Sequence, residues 1–407
     1  MIVVYLLISA MPLTRHPLWS ELAADFTMIK YLGALGLAYA LIHLRVRQMP
    51  VRFFGTAQAR WFTALSAIAI LSYFAEGSRL DVWERSPLMN YVSFLLFFVI
   101  LLIVVDSEQR LRWVLLWAIG GVAFASMHLL REWQKYGQMG EYRPGWVTGD
   151  SNYFTISAVA CLPVAIYLGL DSRERWQRLF CLGSALVIFA ATVVAASRGG
   201  FLGLMLACLF AVFRSERRAR NLVVLSVALV ATLLAPVSPL RRMLLPAASD
   251  TGSADTRTAL WSVGFQMISD EPLTGVGLGN FKAVLKFYGA DELNHIAHNS
   301  FVEIAAEMGI PALLIFLAMI VTSLWSLERV RRFTRGSPDS LIHAAACGIQ
   351  AGVLGDAIAL IFVSGQSQKL FWLMLFLSMC LPPLARLHEA SESAPHAEPT
   401  HATATTS

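Results

Sequence analysis

His298-Asn299-Ser300-Phe301-Val302-Glu303-Ile304-Ala305-Ala306-Glu307-Met308-Gly309-Ile310-Pro311 is the stretch from which the rest of the chain can be read. Ser300 and, three residues on, Glu303 have the spacing of a capping box. In that motif each side chain bonds the other residue's free backbone N–H, so the spacing predicts a helix that starts here. Apolar residues continue to Trp325, long enough to cross a bilayer. His298 then stands just outside the first turn of a membrane helix, in the positive field of its N-terminus. That field disfavours imidazolium and attracts anions, so a neutral His beside a phosphate is a candidate general base. A His at a membrane–water boundary is also an ordinary interfacial residue, and the His alone does not decide between the two.

Working outward, the chain of 407 residues is 57% hydrophobic and 14% charged. A soluble domain carries about 25% charged residues. Mean hydropathy is +0.60. Apolar runs recur at roughly 27–46, 59–75, 88–105, 111–130, 153–170, 177–196, 199–213, 220–236, 300–326, 341–363 and 370–385. Met1–Leu13 is apolar but short and lacks a basic leader, so it reads as a first short membrane helix or re-entrant piece. The expectation is an all-α, polytopic integral membrane protein of about twelve transmembrane helices. Residues 1–236 form the N-terminal helices, 237–299 a long and partly helical loop, 300–388 the C-terminal helices, and 389–407 a disordered tail.

Lys and Arg give the orientation. Arg45, Arg47, Arg52 and Arg60, then Arg173, Arg175 and Arg178, then Arg214, Arg217, Arg218 and Arg220, then Arg329, Arg331, Arg332 and Arg335 fall on one side. The positive-inside rule assigns that side, with both termini, to the cytoplasm. The segments 131–152, Ser197–Gly200 and 237–299 then lie outside. The formal net charge of +5 reflects this topology and does not argue for nucleic acid. Cys161, Cys181, Cys208, Cys347 and Cys380 all sit in apolar runs, as small buried hydrophobes. His396 and His401 in the tail make a weak metal site.

The loop 237–299 is the only long connection, and long ordered loops tend to be functional. Thr256–Ile268 places Leu260, Trp261, Val263/Gly264 and Met267/Ile268 on one helical face, with Arg257 in the first turn. A glycine-rich turn, Gly275-Val276-Gly277-Leu278-Gly279-Asn280-Phe281, precedes a second short helix. It suits either a plain turn or an anion-binding nest. No strand precedes it, which excludes a dinucleotide fold. A second cluster, Ser197-Arg198-Gly199-Gly200, separates two apolar runs. Arg198 there is either a snorkelling helix-end residue or a functional boundary charge. A third, Tyr142-Arg143-Pro144-Gly145-Trp146 with Gly149-Asp150-Ser151-Asn152, is either a binding loop or a polar loop with an Asp helix cap.

Arg143, Arg198, Arg257 and His298 come from four segments that topology puts on one face. Several arginines and a His, without a metal-ligand set or a DxD motif, suit a pyrophosphate plus a hydroxyl to be deprotonated. At these residues the chain resembles the O-antigen ligase and O-antigen polymerase superfamily. The resemblance rests on Ser197-Arg198-Gly199-Gly200-Phe201-Leu202-Gly203, on Gly275–Phe281, and above all on His298–Glu303 running to Gly309-Ile310-Pro311.

The resemblance implies a membrane glycosyltransferase of the GT-C type in a bacterial inner membrane. Its donor would be an undecaprenyl-pyrophosphate-linked glycan on the periplasmic face. The acceptor would be a hydroxyl of lipid A–core, as in lipopolysaccharide assembly. A growing polysaccharide or a protein are alternative acceptors within the superfamily. It also implies Arg257 and His298 as a functional pair, with Arg198 beside them. In that mechanism His298 takes the acceptor's proton and the arginines neutralise the leaving pyrophosphate. Arg143, Asp150, Asn152, Gly277, Gly279, Asn280 and Asn299 are the candidate substrate-binding residues. No cofactor, metal or ATP is expected. The rival class is a secondary transporter, which Asp356 inside an apolar run would fit. Transporters, however, place their polar determinants near the midplane, often with internal repeats, and none is visible.

Overall fold

The computed structural model describes residues 1–13, 28–47, 55–80, 85–137, 144–145, 150–214, 218–235, 239–244, 248–336 and 340–393. Among them the regular structure is helical, with no strand. The helices are α1 (Ile2–Ala10), α2 (Met28–Arg47), α3 (Ala57–Leu80), α4 (Arg85–Val104), α5 (Glu108–Tyr136), α6 (Ser151–Asp171), α7 (Arg175–Ala195), α8 (Arg198–Arg214), α9 (Arg218–Leu234), α10 (Pro239–Leu244), α11 (Ala248–Asp270), α12 (Phe281–Val284), α13 (Ser300–Phe333), α14 (Leu341–Ala359) and α15 (Lys369–Ser393). Every apolar run of the sequence has become a helix. Among the described residues, seven are long and apolar enough to cross a membrane: α4 from Pro87, α5, α6, α7, α13, α14 and α15 to Leu387. Ile29–His43 and Asn221–Leu234 are shorter apolar helices. The protein is an all-α, polytopic membrane protein.

α6 and α14 form the centre of the bundle, both mostly buried, with α8 against α14 and α7 against α6. Small residues allow the close approach. Gly348, Gly352 and Gly355 share one face of α14. A Cβ on Gly348 would lie 2.6 Å from the Val164 Cα, and one on Gly352 would lie 2.7 Å from the Ala160 carbonyl oxygen. Without a hydrophobic drive between helices in lipid, this tight backbone packing supplies the contact energy. A second core of aromatic rings joins α3, α4 and α15 through Phe62, Phe98, Trp372 and Phe376.

Contacts between helix ends give the bundle two chemically different faces. At one, Arg214, Arg331 and Arg332 converge on Glu328, and Arg112 meets Glu174 at 3.0 Å. Met1 sits at this end beside Arg110, as does the stretch of α15 from Pro382 to Arg386, near Phe333 and Gly55. The other end holds the starts of α6, α8, α13 and α15 and the long loop. The described arginines Arg214, Arg331 and Arg332, from two of the arginine-rich connections expected to share a side, thus share an end; Arg52 and Arg217 lie outside the described residues.

Two expectations are corrected. Ser300 and Glu303 do not form a capping box. Asn299 is the N-cap of α13, its Oδ1 accepting from the N–H groups of Phe301 at 3.0 Å and Val302 at 3.2 Å. The box is lost because Ser300 and Glu303 bond a different segment, described below. The tail boundary also moves, because α15 continues to Ser393. His396 and His401 lie outside the described residues.

The loop folds onto the bundle because it carries an apolar face of its own. Leu260, Val263 and Met267 of α11 pack with Phe281, Val284, Leu285 and Ala297 against Val302 and Ala306 of α13. The glycine turn is stitched to a break in the same helix. Gly309 has φ 81° and ψ 167°, a region open to little but glycine, and Pro311 supplies no N–H. The carbonyls this leaves unpaired find other donors. Val276 N–H bonds the Ala306 carbonyl at 2.8 Å and Gly277 N–H bonds the Glu307 carbonyl at 2.9 Å. In return, Ile310 N–H bonds the Pro272 carbonyl at 2.8 Å. Ser72 of α3 joins by donating to the Glu307 carbonyl and accepting from Leu278 N–H.

Candidate active site

The tripeptide His298-Asn299-Ser300 divides three tasks among neighbours. Ser300 locks the helix start. Its N–H bonds the Leu360 carbonyl at 2.9 Å. Its hydroxyl donates to the Val363 carbonyl at 2.7 Å and accepts from Gly365 N–H at 2.8 Å. Asn299 caps. His298, before them, is held at φ +52°, a left-handed conformation that costs a residue with a side chain about 1–2 kcal/mol. Non-glycine residues held there cluster at functional sites.

Glu303, one turn into α13, accepts hydrogen bonds from Ser364 and Gln366. The 360–368 segment is therefore clamped to the start of α13 by both Ser300 and Glu303. The same segment places Phe362 against Gly199 and Gly365 against Ile156. It is the hub that joins α6, α8 and α13. Sequence reasoning missed it, although the polar run Ser364–Lys369 between two apolar runs was the available signal. Lys369, which opens α15, is set deep among protein atoms yet keeps some exposure.

The Ser197 turn is built in a parallel way. α7 ends on Ala196 in the left-handed conformation, φ +50°. Buried Ser197 donates to the Asn152 Oδ1 at 2.7 Å and accepts from Gly200 N–H at 3.4 Å. Gly199 and Gly200 are there for contact, because a Cβ on either would overlap Phe362 or Thr155. Arg198, half-buried, is the first residue of α8. A cation at a helix N-terminus adds to the positive end of the dipole, so this turn carries a positive potential suited to an anion.

Arg257 and Trp261 lie one turn apart on α11. Trp261 Nε1–H donates to the Ala297 carbonyl at 2.9 Å, next to His298. Asp150 caps α6 by accepting from Asn152 N–H at 2.6 Å. His298 feels all of these segments. Burial holds its pKa down, and Arg257 and His295 push the same way while Asp150 opposes them, leaving it at about 4. The His295 ring is 6.2 Å from that of His298. His298 is therefore neutral at pH 7 and able to accept a proton. The helix field anticipated from sequence gave the right sign, but burial is the largest cause.

The structure thus brings Asp150, Arg257 and His298 together, and ties Asn152 to the Ser197–Arg198 turn. Arg143 lies outside the described residues. The anion-nest reading of the glycine turn has no support in its geometry. The amides of Val276, Gly277, Leu278 and Phe281 all bond protein acceptors, the last Glu307 Oε1. The Asn280 side chain donates to the Val276 carbonyl at 3.1 Å. Gly279 packs on Pro87. These residues and Asn299 build the scaffold under the site. Among the described residues no three His, Cys, Asp or Glu side chains gather where they could hold a metal ion.

Residues 183–317 match the family model described as O-antigen ligase. The match runs from inside α7 to the middle of α13, so it includes Arg198, Arg257 and His298 and both ends of the long loop. It covers less than half of the chain. No curated protein matches the sequence. The match supports the superfamily resemblance read from the three motifs.

Proposed function

We propose that the protein transfers a glycan from an undecaprenyl-pyrophosphate carrier to an acceptor hydroxyl at the His298 end of the bundle. That end faces the periplasm in this reading, and the arginine-rich end and both termini face the cytoplasm of a bacterial inner membrane. The acceptor is lipid A–core. The single observation that carries the mechanism is a neutral His298, at the start of α13, facing the charge of Arg257.

The chemistry follows from that pairing. His298 takes the proton of the acceptor hydroxyl as its oxygen attacks the anomeric carbon. The bond from that carbon to the pyrophosphate oxygen breaks, and the electron pair leaves with the pyrophosphate. Arg198 and Arg257 offset its growing charge, an electrostatic contribution on the order of a few kcal/mol per group. Asp150, within range of His298, favours the imidazolium formed when the proton arrives. Attack from the face opposite the leaving group inverts the anomeric centre. Donor binding also tunes the base, because an anion against Arg257 cancels the charge that holds His298 down.

The transporter alternative loses ground, because the loop that carries Arg257 is packed onto α13 by its own apolar core and not left peripheral. The test is product formation by the purified chain. Lipid-linked glycan is offered with lipid A–core, with a polysaccharide and with a protein acceptor in turn. Product with lipid A–core supports the reading. Chain extension alone would make the protein a polymerase, and no product with any acceptor would remove the glycosyltransfer mechanism.

A further inference from the structure

A cavity of about 420 Å³ opens at the arginine-rich end of the bundle, between the start of α3, the last turns of α13 and the Pro382–Arg386 stretch of α15. α13 has 34 residues, which at ~1.5 Å per residue separates this cavity from His298 by nearly the whole thickness of a bilayer. It is therefore a different place from the candidate active site, and nothing about it depends on the reaction proposed there.

Its lining has two parts. Trp325, Phe333 and Pro382 form apolar walls, and Arg329 and Arg386 enter from two different helices. Arg329 stacks over Trp325, with its guanidinium carbon 4.0 Å from the ring centroid. Among the described residues, neither guanidinium pairs with a carboxylate. Glu328, the neighbour of Arg329, is already held by Arg214, Arg331 and Arg332. The α3 edge is polar. Thr56 accepts from Ala59 N–H at 3.2 Å, and Gln58 pins α3 to α13 through the Thr322 carbonyl at 3.2 Å. The start of α3 adds to the field made by the arginines.

Two guanidiniums that meet no carboxylate among the described residues select an anion, and their fork suits phosphate oxygens. The apolar walls select a ligand with more than a phosphate. Trp325 is 60% exposed at the outside of the bundle, where a lipid lies. We infer that this cavity binds the headgroup phosphate of an anionic phospholipid, whose chains run along the outer face of α13. Basic pockets between membrane helices hold anionic headgroups by this physics. The lipid would brace α3, α13 and α15 at the end opposite the chemistry.

The test uses the full chain, purified in phosphatidylcholine and titrated with phosphatidylglycerol, with retained lipid read by native mass spectrometry. Phosphatidylglycerol should be retained over phosphatidylcholine. Arg329→Ala and Arg386→Ala should each weaken it about five-fold and the double variant about twenty-five-fold. Arg335→Ala, at the same end but outside the cavity, should change nothing. Arg329→Gln gives the same comparison should the Ala variant fail to fold. Equal loss in Arg335→Ala, or none in the double variant, would overturn the site. Inorganic phosphate that displaces the lipid at equal concentration would make the ligand a soluble phosphate and overturn the lipid assignment.

Discussion

Trp261 of α11 donates its indole N–H to the carbonyl of Ala297, one residue before His298. This bond fixes the long loop to the candidate base, and it comes from the same helix face as Arg257. It links two functions that sequence alone leaves separate, the packing of the loop and the aim of the imidazole.

Trp261→Phe keeps the ring's bulk and removes the donor. The net stability lost should be small, about 1 kcal/mol for one hydrogen bond. Transfer should fall further, by about ten-fold or more, because small misplacements of a catalytic group are costly. Thermal unfolding and turnover, measured side by side, check this. A variant with wild-type turnover would show that His298 is aimed by Asn299 and its own backbone alone.

His298 gives a pH signature. It stands at about 4 through burial first and Arg257 second, against its ordinary 6.5. A depressed imidazole is neutral above that value, so the free protein loses its base only as pH falls through about 4. Donor pyrophosphate against Arg257 should raise the value. The acid limb of kcat at saturating donor should therefore lie at higher pH than that of kcat/KM. Coincident limbs at 6.5 would mean that neither burial nor Arg257 acts on the catalytic His.

The break in α13 can be tested apart from the chemistry. Gly309→Ala must adopt a conformation that costs about 1–3 kcal/mol, and its Cβ would overlap the Leu273 carbonyl. Gly289→Ala is the control, since φ there is +66° but no atom lies within 4 Å of the added carbon. The melting temperature should drop clearly more for Gly309→Ala. Equal drops would assign the cost to backbone strain and leave the docking of the glycine turn on Glu307 without weight.

The sequence carried the helices because membrane spans are encoded by apolar length, which needs no knowledge of partners. It also carried the shared face of Arg198, Arg257 and His298, because alternation of spans dictates it; Arg143, read onto the same face, lies outside the described residues. It did not carry hydrogen bonds between distant segments. Ser300 and Glu303 have capping-box spacing, yet Ser364, Gln366 and the 360–368 backbone outcompete the local pairing. The glycine turn failed as a nest for the same reason. A turn's amides are available to a ligand only if no carbonyl nearby is unpaired, and the break at Gly309 supplies such carbonyls, those of Ala306 and Glu307, to the amides of Val276 and Gly277.

Arg257 and His298 can be told apart by substitutions that keep one property and remove another. Arg257→Lys keeps the charge and loses the planar fork. If Arg257 grips the pyrophosphate through two parallel hydrogen bonds, activity should fall about ten- to a hundred-fold despite the conservative change. His298→Gln keeps hydrogen bonding and loses basicity, so it should be as inactive as His298→Ala, by about 10²–10⁴-fold. Donor binding should survive both His298 variants, because the arginines still face the pyrophosphate, and should weaken in Arg257→Lys. The measurements are turnover and donor-lipid binding for each purified variant, with thermal unfolding as the folding control. Full turnover in His298→Gln would reduce His298 to a positioning group and require the proton to go elsewhere. Full turnover in Arg257→Lys and His298→Ala together, with folding intact, would leave the transfer reaction without its site.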